Sequence, residues 1–181
     1  MYKTLALLSL VATTFALPVE DRQAGPSVTI KNGTVVGSTA GGVDSFKGIP
    51  FAQPPVGNLR LRPPQSLNAG FAGGVFTATA QPRSCPQFLS QINSSSIPSS
   101  ALGLIADSPF AQTATNSGED CLTLNVQRPS TATSSSKLPV LFWIYGGGFE
   151  FGSTQNYDAT NVITRSVTLG EPIIYVAVNY R

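Results

Sequence analysis

Leu138 to Ser153 reads LPVLFWIYGGGFEFGS, an apolar run followed directly by three consecutive glycines. Val140 to Tyr145 carries no charge and no alternation, the pattern of a strand buried on both faces of a mainly parallel sheet. Glycine after such a strand leaves the backbone N–H groups of Gly146, Gly147 and Gly148 unshielded by any Cβ and free to take positive φ. The bland alternative is a flexible glycine loop without chemistry, and the ordered strand pattern ahead of it argues against that.

Downstream, Ile173 to Val178 is a second apolar run. Asp158 to Val167 between the two predicts a short helix, with Asp158 near its start and Gly170 near its stop. The order is therefore strand, crossover, strand, for which a right-handed parallel connection is the default. Upstream, Cys121 to Gln127 alternates at period two and predicts a strand ended by Pro129. Val28 to Val36 alternates β-branched and polar residues around Asn32-Gly33, which predicts a β-hairpin with a type I′ turn. Phe46 to Phe51 reads as short apolar segments, and the Pro54-Pro55 and Pro63-Pro64 pairs predict an irregular, wrapped stretch after it. The fold class is α/β, with a mainly parallel central sheet preceded by a small antiparallel hairpin.

Composition narrows the function classes. The 181 residues contain 11% charged side chains and a formal net charge of +2, which leaves no basic patch for nucleic acid. Hydrophobic residues make up 41%, a balance that suits a folded chain rather than a disordered one. The length suits one domain or the beginning of a larger one. Residues 1–16 read as a secretory signal peptide, with Lys3, the apolar run from Leu5 to Val11 and Ala16 before Leu17-Pro18. A membrane anchor is the alternative, but the apolar stretch of about 12 residues falls short of the roughly 20 that span a bilayer. Residues 17–181 then form the mature chain, and an extracellular location follows.

Secretion makes Cys85 and Cys121 a predicted disulfide. It closes a loop of about 35 residues, worth at most about 4 kcal/mol in the chain-entropy model. Asn32-Gly33-Thr34 and Asn93-Ser94-Ser95 are glycosylation sequons, so Asn32 and Asn93 are candidate glycan acceptors.

Four ordered motifs now fall together: Gly48 to Arg62 (GIPFAQPPVGNLRLR), Glu119 to Val126 (EDCLTLNV), Trp143 to Phe149 (WIYGGGF) and Val178 to Arg181 (VNYR). In this order and approximate spacing the chain resembles the type-B carboxylesterases, and among them the fungal secreted lipases and esterases. The resemblance implies the N-terminal portion of an α/β-hydrolase that cleaves carboxylic esters through an acyl-enzyme. It implies that Gly147 and Gly148 supply oxyanion-hole donors, that Gly146 opens the turn, and that Arg60 and Glu119 form a buried structural ion pair near the disulfide. It implies neither cofactor nor metal.

By the same resemblance, the loop from Cys85 to Cys121 corresponds to a lid-bearing loop. Its Phe88, Leu89, Ile92, Ile97, Leu102, Leu104 and Ile105 either cover an acyl tunnel and meet a lipid surface or simply pack the loop onto the body. The sequence has no histidine and no G-x-S-x-G turn, so the nucleophile, acid and histidine of the family are missing from these residues. The chain is expected to be inactive alone. Ending just after a buried strand, it is also expected to leave an unpaired apolar sheet edge and to fold poorly in isolation. Two other readings stand beside this one. A secreted, non-catalytic binding module has no positive support, and a serine activated by lysine finds no matching arrangement.

Overall fold

A computed structural model describes residues 25–87, 116–150 and 152–181. Strands β1 (Ser27–Ile30) and β2 (Gly33–Val36) form the N-terminal antiparallel hairpin, with Ile30 opposite Gly33. Its turn is not the predicted one. Asn32 lacks the positive φ that a type I′ turn requires, and Gly33, at φ 131°, already belongs to the strand. Tertiary contacts explain the shift: the Asn32 carbonyl accepts from the Phe71 N–H at 2.7 Å, and its carboxamide donates to the Ala69 carbonyl at 2.8 Å. Those bonds hold the segment that becomes β5 (Val75–Thr77), which adds to β2 in parallel. A Cβ on Gly33 would lie 2.5 Å from the Gly74 carbonyl oxygen, so glycine here permits close approach.

The type I′ pattern occurs a few residues on. Strands β3 (Ser38–Ala40) and β4 (Val43–Pro50) pair antiparallel through Gly41 and Gly42, at φ 55° and 77°. The eight-residue β4 occupies the stretch that looked like fragments in the sequence. A bulge is responsible: Phe46 pairs with Val126 and Ile49 with Leu124, so Lys47 and Gly48 together oppose Asn125. The Asn125 side chain accepts from the Gly48 N–H at 2.8 Å, replacing the lost ladder bond.

The larger sheet runs in the spatial order β3, β4, β6 (Thr123–Pro129), β8 (Ile174–Val178), β7 (Val140–Trp143). Among the described strands of this sheet only β7 and β8 are parallel; the other neighbours are antiparallel. The expectation of a mainly parallel sheet is therefore corrected for this part of the chain. The connection from β7 through helix α1 (Thr160–Thr168) to β8 is a helical crossover of the kind that returns a strand in the same direction.

That crossover also places β8 inside the sheet and leaves β7 outermost. Tyr175 and Ala177 of β8 are buried, whereas Val140 and Phe142 of β7 are 57% and 54% exposed. Within the described residues the apolar strand β7 is therefore the outer strand of the sheet, with its side chains exposed.

Helix α1 follows from local chemistry at both ends. The Asp158 carboxylate accepts from the Thr160 N–H at 2.8 Å and from the Thr160 hydroxyl. At the far end Gly170 takes φ 77°, its N–H donates to Val167, and the Glu171 N–H donates to Ser166, the bond pair of a Schellman stop. Ile163 points from this helix into a core of Val43, Ala159, Tyr175 and Ala177. Gln127 ties the helix start to the sheet. Its Oε1 accepts from the Ala159 N–H at 2.8 Å, and its amide group donates to Asp158, Thr160 and Ser45.

The Thr160 hydroxyl is the chief cause that holds the Asp158 carboxyl below its ordinary value of 3.8; partial burial opposes this, and Gln127, the Thr160 N–H and Lys47 add to the lowering. A lowered carboxyl stabilises the fold fully above its unfolded value and loses that contribution as pH falls through its folded value. Asp158→Ala is therefore expected to cost about 1 kcal/mol at neutral pH. The gap should narrow as the pH drops below 3.8, read from urea midpoints across a pH series. A gap that is constant with pH would refute the assignment.

Asp44, only 3% exposed, accepts from the Thr39 hydroxyl at 2.7 Å and pairs with Arg128 at 3.1 Å, directly across from it in the register. Arg128 also lies over the Phe46 ring. A buried carboxylate needs such partners, because leaving it unpaired costs several kcal/mol, roughly 3 to 5.

Candidate active site

Strand β7 ends at Trp143, and Ile144 and Tyr145 carry the chain into Gly146, Gly147 and Gly148. Gly147 has φ 143° and Gly148 φ 64°, and the Glu150 N–H closes the turn onto the Gly147 carbonyl at 3.1 Å. Phe149 also has positive φ, 62°, which for a bulky non-glycine residue is strained. Among the described residues, no acceptor takes the N–H of Gly146, Gly147 or Gly148. These glycines line a cleft of about 260 Å³ together with Ile144, Tyr145, Phe149 and Tyr180.

The turn is braced from behind. Tyr145 and Tyr180 stack with ring centroids 4.4 Å apart. The Tyr145 hydroxyl donates to the Tyr180 carbonyl and accepts from its N–H, both at 3.2 Å, while the Tyr180 hydroxyl donates to the Tyr145 carbonyl at 3.0 Å. Burial raises the Tyr145 pKa above 10.0, so the hydroxyl keeps its proton as a donor at neutral pH. Burial likewise pushes Tyr175 up to about 12. Tyr157 continues the stack toward Trp143.

Asn179, fully buried after β8, works as a junction. Its Oδ1 accepts from the Thr154 N–H at 3.0 Å, and its Nδ2 donates to the carbonyls of Arg83 and Cys121 at 3.0 and 3.2 Å. The segment after the turn, the strand β6 entry and the stretch before Cys85 are thereby fastened to one side chain. Sequence reasoning quoted Asn179 and Tyr180 in a motif without finding these roles. A side chain's hydrogen-bond partners 25 to 96 positions away leave no local pattern to read.

Cys85 and Cys121 form a disulfide, with Cα atoms 5.0 Å apart, and pack beside Ala52 and Leu122. Arg60 and Glu119 are paired through Nε and Oε1, but their side chains are 58% and 41% exposed. The expected buried ion pair is thus a rim pair, because both residues border an open cavity with Pro55, Leu61 and Pro86. Among the described residues the more buried ion pair is Asp44 with Arg128, with side chains 5% and 21% exposed. Asn32 sits at the first hairpin turn, partly exposed. The expected signal peptide over 1–16, Asn93 and the apolar loop residues from Phe88 to Ile105 lie outside the described residues.

Comparison with known proteins agrees with this architecture. Residues 24–181 match the model of the Carboxylesterase family. "Secreted lipase 1" of Botryotinia fuckeliana (strain B05.10) is 49% identical over 97% of this chain and 32% of its own length. "Secreted triacylglycerol lipase LIP1" of Gibberella zeae is 47% identical over 90% of this chain and 27% of its own. The crystal structure of Aspergillus niger EstA superposes with a TM-score of 0.66 at 35% identity, covering 87% of this chain and 26% of that one. The chain spans about a third or less of the length of these relatives. With the strand, the glycine turn and its aromatic brace in the matched region, the chain belongs to the carboxylesterase family.

Proposed function

We propose that this chain is the N-terminal part of a secreted carboxylic ester hydrolase, and that Gly147 and Gly148 donate two N–H bonds to the oxyanion of its acyl-enzyme reaction. Attack on an ester carbonyl places negative charge on the oxygen, and donors already fixed at that position lower the barrier without reorganisation. The observation that carries the reading is a pair of amides with no acceptor among the described residues, on a braced turn, beside a cleft. A third donor would come from the residue after the nucleophilic serine. Serine, acid and histidine would lie beyond Arg181, and the exposed apolar edge of β7 supports further polypeptide packing there.

The substrate class is a carboxylic ester, lipid or small, and no cofactor or metal takes part. Secretion and an N-glycan on Asn32 belong to the same reading. The test is the transcript downstream of Arg181 together with the secreted product's activity on p-nitrophenyl butyrate and tributyrin. The expected result is a continued frame with a G-x-S-x-G turn and a later histidine, a product whose mass falls on N-glycosidase treatment, and hydrolysis by the long product but not by residues 17–181. A stop codon at this point, or a long product inert toward both esters, would sink the enzyme reading.

A further inference from the structure

The carboxamide of Gln87 closes a pair with the backbone of a single residue. Its Oε1 accepts from the Gly152 N–H at 2.7 Å, and its Nε2 donates to the Gly152 carbonyl at 2.9 Å. The same Nε2 donates to the Cys85 carbonyl at 2.8 Å, and the side chain is only 5% exposed. A carboxamide can do this because it carries an acceptor and two donors; a carboxylate lacks the donors and an aliphatic side chain lacks both.

Gly152 in turn lies directly against the start of the tri-glycine turn. At φ 123° it sits so close that a Cβ would fall 2.6 Å from the Tyr145 ring and 2.8 Å from the Gly146 carbonyl oxygen. A continuous path therefore runs from β6 through Cys121, the disulfide and Cys85 to Gln87, and from there through Gly152 to Gly146. The turn needs such an external anchor, since its own described backbone bond is the one from Glu150 to Gly147.

We propose that Gln87 is a positioning residue for the tri-glycine turn, setting where the Gly147 and Gly148 N–H groups stand relative to the sheet. The proposal rests on the reading of that turn as the oxyanion-binding element. Gln87 touches no substrate; it acts through Gly152. Misplacing such donors by about an ångström costs on the order of 100-fold in rate without altering the chemistry available.

The test uses Gln87→Glu and Gln87→Leu in the secreted protein as its own gene encodes it. Both variants are expected to lower kcat on p-nitrophenyl butyrate roughly 10- to 100-fold while KM stays within about twofold. Hydrogen exchange at the Glu150 amide should accelerate about tenfold, with the protection of β4 and β6 unchanged. Gln87→Glu should regain activity relative to the parent as the pH falls, because a protonated carboxyl is again a donor. An unaltered kcat, unaltered exchange at Glu150, or a loss explained wholly by the unfolded fraction would overturn the proposal. Gly148→Val made in parallel separates the two ideas. If it lowers kcat 100-fold or more while the Gln87 variants leave kcat unaltered, positioning alone fails; if it leaves turnover intact, the oxyanion reading fails and takes this proposal with it.

Discussion

If the proposed oxyanion role of the turn holds, Gly148→Val in the full-length protein is expected to lower kcat by roughly 100- to 1,000-fold, the scale seen when an oxyanion donor is lost. Two effects act together. Gly148 holds φ 64°, where a β-branched residue is a severe outlier, so valine tends to rotate the peptide and carry its N–H away from the cleft. The new side chain would also enter the cleft that Gly148 lines, where the proposed reading places the substrate carbonyl. No atom lies within 4 Å of a Cβ built at Gly148, so the substitution meets no steric wall in the protein itself. The strain at one exposed turn, about 1–2 kcal/mol, is small enough for the fold to survive. Turnover of p-nitrophenyl butyrate and a thermal melt, measured on the same preparation, check this. A variant within threefold of the parent in kcat would remove the turn from the mechanism.

Loss of the disulfide should have the largest effect on stability. Cys85→Ser combined with Cys121→Ser is expected to lower unfolding free energy by up to about 4 kcal/mol, the closure entropy of its loop. Both positions are almost fully buried, so each serine also brings a hydroxyl into an apolar pocket beside Ala52 and Leu122. The nearby ion pair of Arg60 and Glu119 is no substitute. With side chains 58% and 41% exposed, it is screened by water and worth about 0–1 kcal/mol. Urea unfolding of the full chain, with and without reductant, gives the measurement. If the double variant unfolds within about 1 kcal/mol of the parent, the cross-link is not a main support of this region.

The disulfide also lies on the path to the tri-glycine turn. Cys85 accepts from Gln87, and Gln87 holds Gly152. Three hydrogen bonds thus join Cys85 through Gln87 to Gly152, and Gly152 packs directly against Gly146.

Features governed by nearest neighbours were legible in the sequence. The helix between β7 and β8 was readable from Asp158 and Gly170, because a carboxylate accepting from the first turn and a left-handed glycine after the last are local events. The strand before the glycines and the first hairpin were readable for similar reasons, as were the four motifs that mark the family, whereas the pairing of Cys85 with Cys121, 36 positions apart, was readable only because the chain has two cysteines and reads as secreted. The β4 strand was missed because its bulge at Lys47 and Gly48 breaks the period-two pattern, and the missing bond is supplied by Asn125, far along the chain. The hairpin turn type was misplaced because contacts from Ala69 and Phe71 outweigh the preference of Asn-Gly.

Composition and local pattern alone thus establish an α/β chain with a family signature, a helix with defined ends and a glycine turn after an apolar strand. Strand order, by contrast, depends on where a crossover lands, and an apolar run reads the same in the middle of a sheet as at its edge. Only the folded chain shows β7 outermost among the described strands, Arg60 and Glu119 at a rim, Asp44 and Arg128 paired across β4 and β6, and Gln87 and Asn179 reaching across to the backbone of Gly152 and Thr154. Those facts depend on which distant groups meet to satisfy buried donors and acceptors, and that pairing is decided in three dimensions.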